Sequence, residues 1–180
     1  MTALDLGGTL FLPATHKNVE EILLRKKYVN LKSLLIDTED SLDDLESGLK
    51  RLAILLRVYN TTTLLVFIRP RNPEVLKRIL SFENIDKIDG FILPKFSLHN
   101  AYNYLELLEP TTYKIMPSIE GTELFEQSRL IGLREILLKY KERIPVIRFG
   151  LEDMLRQLKM KQNCKDSVFD ISVTSSIIGM

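Results

Sequence analysis

Cysteine is almost missing from this sequence. Cys164 stands alone, so no intrachain disulfide can form and a reducing compartment is the simpler expectation. Also missing is any apolar run approaching the ~20 residues that a membrane helix needs. No basic segment followed by an apolar one opens the chain, so no secretory signal is visible and the cytoplasm is the expected location. Neither sign of charge is in excess: 25 basic and 24 acidic residues leave a formal +1, which gives no ground for binding nucleic acid or an anionic membrane. Histidine is scarce as well. His16 and His99 have no serine or cysteine at a spacing that nucleophilic catalysis would use, and both read as surface or loop residues. There is no linker, low-complexity stretch or shift of composition. What remains is an ordinary globular composition, 45% hydrophobic and 27% charged over 180 residues, which suits a single domain spanning the chain.

What is present is a recurring unit. Short apolar runs each end on a polar or charged group: TLFLPATH (Thr9–His16), SLLIDTED (Ser33–Asp40), LLVFIRPR (Leu64–Arg71), GFILPK (Gly90–Lys95), YKIMPSIE (Tyr113–Glu120) and PVIRFGLED (Pro145–Asp153). Helical patterns separate them. Asn18 is placed to cap a helix over Val19–Tyr28, with Glu21 completing a capping box. Leu42, Leu45, Leu49, Leu52, Ala53 and Leu56 mark one buried face, and Asn72-Pro73 supplies a cap and a first-turn proline for a helix through Leu80. Leu98, Ala101, Tyr102, Leu105 and Leu108 form another stripe. Thr122–Tyr140 reads as a longer helix with Leu124, Phe125, Ile131 and Leu138 available for packing, and Leu151–Met160 as a shorter one.

Alternating strand and helix signals indicate βα units around a parallel sheet. Six units are visible, the last poorly defined. A (β/α)₈ barrel usually takes ~250 residues, so the chain is about two units short, and an open doubly wound sheet is the alternative. In either architecture functional groups gather at the C-terminal ends of the strands. Here those ends carry Glu39, Asp40, Arg69, Lys95, Glu120 and Asp153. Facing carboxylates and an arginine point to a metal site for an anionic substrate. Glu120 and Asp153, on consecutive strands, offer the hard oxygen donors that Mg2+ accepts while keeping water or substrate oxygens, and Arg69 suits a substrate carboxylate. Gly150 and Gly121 leave room for backbone to approach a ligand closely. Each acid also has a plainer role at a helix N-terminus, where the dipole favours it.

Two shorter likenesses are weaker. DLGGTL (Asp5–Leu10) resembles the nucleophile motif of haloacid dehalogenase phosphatases, but Gly7 stands where the second aspartate is needed, so the segment reads as a lead-in to the first strand. IDTED resembles the acidic cluster of receiver domains, but the third strand ends in Arg69, and the later lysine–proline pair is reversed as Pro94-Lys95.

In order, IDTEDSL (Ile36–Leu42), IRPRN (Ile68–Asn72), LPKF (Leu93–Phe96), SIEG (Ser118–Gly121) and FGLEDM (Phe149–Met154) resemble the motif series of the HpcH/HpaI aldolase and citrate lyase beta-subunit family. They look closest to its subgroup of C–C bond lyases of the TIM-barrel fold, often linked to tellurite-resistance gene clusters. The resemblance implies a TIM barrel, here incomplete with about six of eight βα units, assembled as a homo-oligomer. It implies a Mg2+-dependent lyase that acts on a 3-hydroxy acid or its CoA thioester and releases a 2-keto acid. Carried over residue by residue, it makes Glu120 and Asp153 the metal ligands, Arg69 the arginine that holds the keto acid, and Glu39 the acid that meets substrate or metal-bound water. Gly150 is expected beside the substrate. The chain departs from the family in lacking two further strands and a C-terminal segment, in showing GLEDM where the subgroup shows GGxDL, and in having Lys159-Met160-Lys161 for a basic pair. Those departures keep a second reading open: a truncated, non-catalytic relative that serves as a binding or interaction module.

Overall fold

Parallel pairing in strict chain order organises the molecule. The computed structural model describes residues 1–39, 44–60, 62–165, 167, 170–172 and 174–175. Strands β1 (Thr9–Pro13), β2 (Ser33–Asp37), β3 (Leu65–Arg69), β4 (Gly90–Leu93), β5 (Lys114–Ile119) and β6 (Arg148–Phe149) lie side by side in that order, every neighbouring pair parallel. A doubly wound sheet reverses its strand order partway across. This one does not, and the expected incomplete (β/α) barrel is what forms. Among the described residues β1 and β6 each have a single strand neighbour, so the sheet is curled but unclosed. The helices are α1 (Ala3–Leu6), α2 (Val19–Leu23), α3 (Leu45–Val58), α4 (Pro73–Leu80), α5 (Ala101–Leu108), α6 (Gln127–Leu138) and α7 (Leu151–Gln157). No helix among the described residues is long and apolar enough to cross a membrane.

Pleat alternation divides the core in two. Leu35, Phe67, Ile92 and Met116 point into the barrel and meet Leu6, with Leu65 and Val146 at their edge. The intervening residues, among them Leu34, Ile36, Val66, Ile68, Phe91 and Ile115, point outward under the helices. Strands buried on both faces read as unbroken apolar runs, which is why they were legible as strands. At Gly90 a Cβ would stand 1.9 Å from the carbonyl oxygen of Lys114, so the β4–β5 crossing requires glycine. The DLGGTL segment lies at the N-terminal end of the sheet. The Asp5 carboxylate accepts from the Thr2 backbone N–H (2.6 Å) and hydroxyl (3.1 Å), closing the first turn of α1, and Leu6 plugs the barrel from below.

The helices depart from the sequence reading at identifiable points. Helix α2 stops at Leu23 rather than Tyr28, because Arg25 and Tyr28 take positive φ (58° and 49°) and the Arg25 guanidinium caps the carbonyls of Val29 and Leu31. Asn18 makes no side-chain cap there; its Oδ1 accepts from Lys27 Nζ instead at 3.1 Å. The expected Thr122–Tyr140 helix breaks at Glu126, whose extended backbone separates a 3₁₀ turn (Thr122–Phe125) from α6. On α6, Leu133, Ile136 and Leu137 face the core, while Ile131 and Leu138 are half exposed. On α5, Tyr104 is buried and Tyr102 faces solvent. Helix α7 ends at Gln157 rather than Met160, and Asp40 and Leu42 lie outside the described residues. Helix α4 forms as expected, with Asn72 Oδ1 accepting from the Val75 N–H at 2.9 Å and Pro73 in the first turn. Asn72→Ala is expected to cost about 1 kcal/mol in a urea titration, the usual size of a lost N-cap.

Candidate active site

All strands of a parallel barrel end at one rim, and alternation decides which side chain faces inward there. The inward series on β2 runs through Leu35 to Asp37, on β3 through Phe67 to Arg69, and on β5 through Met116 and Ser118 to Glu120 just beyond the strand. Just before β6, Val146 belongs to the inner cluster, and Arg148, the first residue of β6, follows two residues later, paired in register with Ser118.

Arg69 and Asp37 are register partners on adjacent strands. Arg69 Nε donates to Asp37 Oδ1 at 2.6 Å and Nη2 to Oδ2 at 3.0 Å, the two-pronged geometry that suits guanidinium and carboxylate. The remaining nitrogen, Nη1, lies 2.8 Å from Glu39 Oε2, and Lys95 Nζ lies 3.1 Å from Glu39 Oε1. Arg71 Nη2 donates to the Glu39 carbonyl at 3.0 Å. Asp37 and Glu39 are 0% and 1% exposed, so two buried carboxylates surround one guanidinium. That guanidinium also lies 4.6 Å over the Phe11 ring from β1.

In front of this cluster opens a polar cavity of about 480 Å³, lined by Arg69, Ser118, Glu120, Arg148, Gly150 and Asp153 among others. Of the residues expected at the site, Arg69, Glu120, Gly150 and Asp153 therefore share one cavity, and Glu39 stands behind Arg69, outside its wall. Burial raises the pKa of Glu120; a Ser118 hydrogen bond opposes the rise, the charge of Asp153 adds to it, and Arg69 and Lys95 pull it back. The space at Gly150 is taken by protein: a Cβ there would stand 2.2 Å from Glu120 Cγ. Asp153, in the first turn of α7, accepts from Arg156 at 3.0 Å on the solvent side. An exposed pair of this kind holds it weakly.

Sequence reasoning missed Asp37 and Arg148. Asp37 was visible as the charge that closes the unbroken apolar run of β2. Arg148 was not, because its inward direction depends on the β6 register, and β6 has only two residues.

Two carboxylates facing one cavity are of the donor type that a divalent cation accepts beside water or substrate oxygens. Among the described residues no group of three or more His, Cys, Asp or Glu forms a metal-holding cluster.

Structural comparisons bear on the fold. The CitE protein of Mycobacterium tuberculosis, in complex with magnesium, acetoacetate and coenzyme A, superposes with a TM-score of 0.62 at 17% identity, covering 96% of this chain and 58% of that one. A citrate lyase beta subunit from M. tuberculosis, complexed with oxaloacetate and magnesium, gives 0.54 at 14% identity over 96% and 74% of the two chains. The HpcH/HpaI aldolase of Desulfitobacterium hafniense gives 0.54 at 11% over 95% and 73%. At these identities the likeness establishes the curled parallel barrel. No curated protein sequence matches. The profile of the C–C bond lyases of the TIM-barrel fold matches residues 1–180, and the chain belongs to that family. It spans 58% of the CitE chain.

Proposed function

We propose that this chain carries a divalent-cation-dependent carbon–carbon lyase site that acts on a 3-hydroxy acid or its CoA thioester and releases a 2-keto acid. The supporting observation is that an arginine at the end of β3, a glutamate just beyond β5 and an aspartate in the first turn of α7 line one cavity of a C–C bond lyase barrel. In this reading Glu120 and Asp153 hold Mg2+, which when bound supplies Lewis acidity toward a carbonyl oxygen. Arg69 neutralises the substrate carboxylate or the oxyanion that develops as the bond breaks. Asp37 fixes the plane of that guanidinium, leaving little to reorganise on binding. Glu39 acts from behind, holding Arg69 and Lys95 toward the cavity; for direct proton transfer it must first release those pairs. Gly150 gives Glu120 its position.

Calorimetric titration with oxaloacetate, pyruvate and glyoxylate, with and without Mg2+, tests the reading. Binding is expected only with Mg2+, and binding indifferent to the metal would remove the ligand assignment. Mg2+ at a hundredfold over its Kd is expected to stabilise the protein by about 2.7 kcal/mol, and Asp153→Asn to abolish that gain in a thermal melt.

Glu120 predicts a pH dependence in metal-free protein. Its folded pKa lies above the ordinary glutamate value, so the native state holds a proton that the unfolded chain has lost. Stability should therefore fall as pH climbs from the ordinary glutamate range through the raised value. Glu120→Gln should flatten that part of the Tm–pH curve, and an unchanged curve would count against a buried, charged Glu120.

An apolar groove of about 490 Å³ runs between α6 and β6, past Leu133, Leu137, Ile147 and Phe149. It favours self-association, and it is the feature that would serve the second reading, a non-catalytic interaction module. We place the protein in the cytoplasm as a homo-oligomer. Sedimentation showing a monomer would remove the oligomer from this proposal.

A further inference from the structure

Arg148 is a cation in the cavity that the proposed chemistry leaves unused. It pairs in register with Ser118 and follows inward Val146 by two residues, and its side chain lines the polar cavity. It makes no hydrogen bond and no ion pair with any described residue. Arg69, in the same cavity, is held by Asp37 and Glu39. Burial lowers the pKa of Arg148, the charge of Arg69 lowers it further, and Glu120 and Asp37 oppose that from beyond ion-pairing distance. A guanidinium that is desolvated, unpaired and repelled by a second guanidinium gains most from an anionic oxygen group placed between the two. Glu120, Glu152 and Asp153 are the nearby acids on the cavity wall, and the first and last are committed to a cation in the proposed chemistry.

We propose that Arg148 is a specificity residue that receives a second carboxylate, so that the keto acid this site handles is a dicarboxylate rather than a monocarboxylate. The proposal rests on the lyase reading for the first carboxylate, held by Arg69. The second comes from the shape of the cavity alone: cations from β3 and β6 face it, with β4 and β5 between them.

The test is a titration of the Mg2+-loaded full chain with oxaloacetate and pyruvate, which share the keto-acid head and differ by one carboxylate. The parent is expected to prefer oxaloacetate by about tenfold or more, as one charge-assisted contact gives. Arg148→Met should erase the preference with pyruvate binding unchanged, and Arg148→Lys, restoring a point charge, should return part of it. A role confined to packing would not respond to that rescue. Equal weakening of both ligands in Arg148→Met, or no change in either, would overturn the proposal. If the parent binds neither keto acid, the lyase reading fails, and malonate, a dianion without the keto group, then decides Arg148 separately. Malonate binding that is lost in Arg148→Met would keep the anion site, and no malonate binding would end it. Inorganic phosphate displacing either dianion at equal concentration would overturn the assignment of a carboxylate.

Discussion

An Arg69→Met variant is expected to lose about 3–5 kcal/mol of folding stability at pH 7, read from a urea titration. The cause is what stays behind. Asp37 has no exposed surface and Glu39 almost none, and Arg69 contacts both carboxylates, at 2.6 and 3.0 Å on Asp37 and at 2.8 Å on Glu39. Methionine fills much of the volume but removes the two charge-assisted bonds that Arg69 gives Asp37, and a buried carboxylate that loses such bonds is left poorly compensated for its desolvation. Glu39 keeps Lys95, so most of the loss falls on Asp37. Two companion measurements separate this cause from lost packing. The deficit should shrink toward acid pH, where protonation removes the buried charge that Arg69 had compensated. The double variant Asp37→Leu/Arg69→Met should recover part of the stability, because replacing a buried pair outright is tolerated better than breaking it. A single variant within about 0.5 kcal/mol of the parent would show that the cluster is solvated in solution.

The second large effect is expected from Gly150→Ala. The backbone at Gly150 (φ −83°) accommodates alanine, so the obstacle is space. The new methyl would stand 2.2 Å from Glu120 Cγ, 2.9 Å from Cδ and 3.0 Å from Cβ. Contacts with Cγ and Cβ cannot be relieved by turning the carboxylate alone. Either Glu120 changes rotamer, leaving the cavity, or β6 shifts away from β5, whose pairing the Gly150 N–H extends by donating to the Ile119 carbonyl at 3.1 Å. Overpacking of this kind costs about 1–3 kcal/mol. The more specific readout is the metal response. If Glu120 is a ligand, Gly150→Ala should lose the Mg2+-induced rise in Tm even at pH values where the apo fold persists. A variant that melts lower but gains as much from Mg2+ as the parent would show that Glu120 is not needed for the metal.

Much of this architecture could be read from the chain because its strands are buried on both faces. SLLID and LVFIR are unbroken apolar runs closed by a charge, and in a parallel barrel the closing charge must lie at the rim. Arg69 and Glu120 were placed at the rim by that rule, and in the structure they line one cavity with Asp153. What escaped depended on facts that pattern alone does not carry. The ion pairs of Glu39 with Arg69 and Lys95 were not legible, because they turn on where β2 ends and how the chain leaves it. Arg148 sits in a two-residue strand, too short for alternation to show. The early end of α2 turns on positive φ at Arg25 and Tyr28, residue types that give no warning of it. Glu126 breaks a run of good helix formers with one extended residue between the 3₁₀ turn and α6, which its residue type does not announce.

The sequential strand order has a kinetic consequence. Each strand is hydrogen-bonded to the one synthesised just before it, so the sheet grows at a single advancing edge. Every addition closes a loop of one strand–helix unit, and because closure entropy rises only with the logarithm of loop length, the steps are nearly equal in difficulty. A sheet with crossed-over order would have to wait for distant segments. Here the β1–β2 pair, with its buried Leu35 and Ile36, can form while downstream sequence is still being translated, and each later unit finds its template already in place.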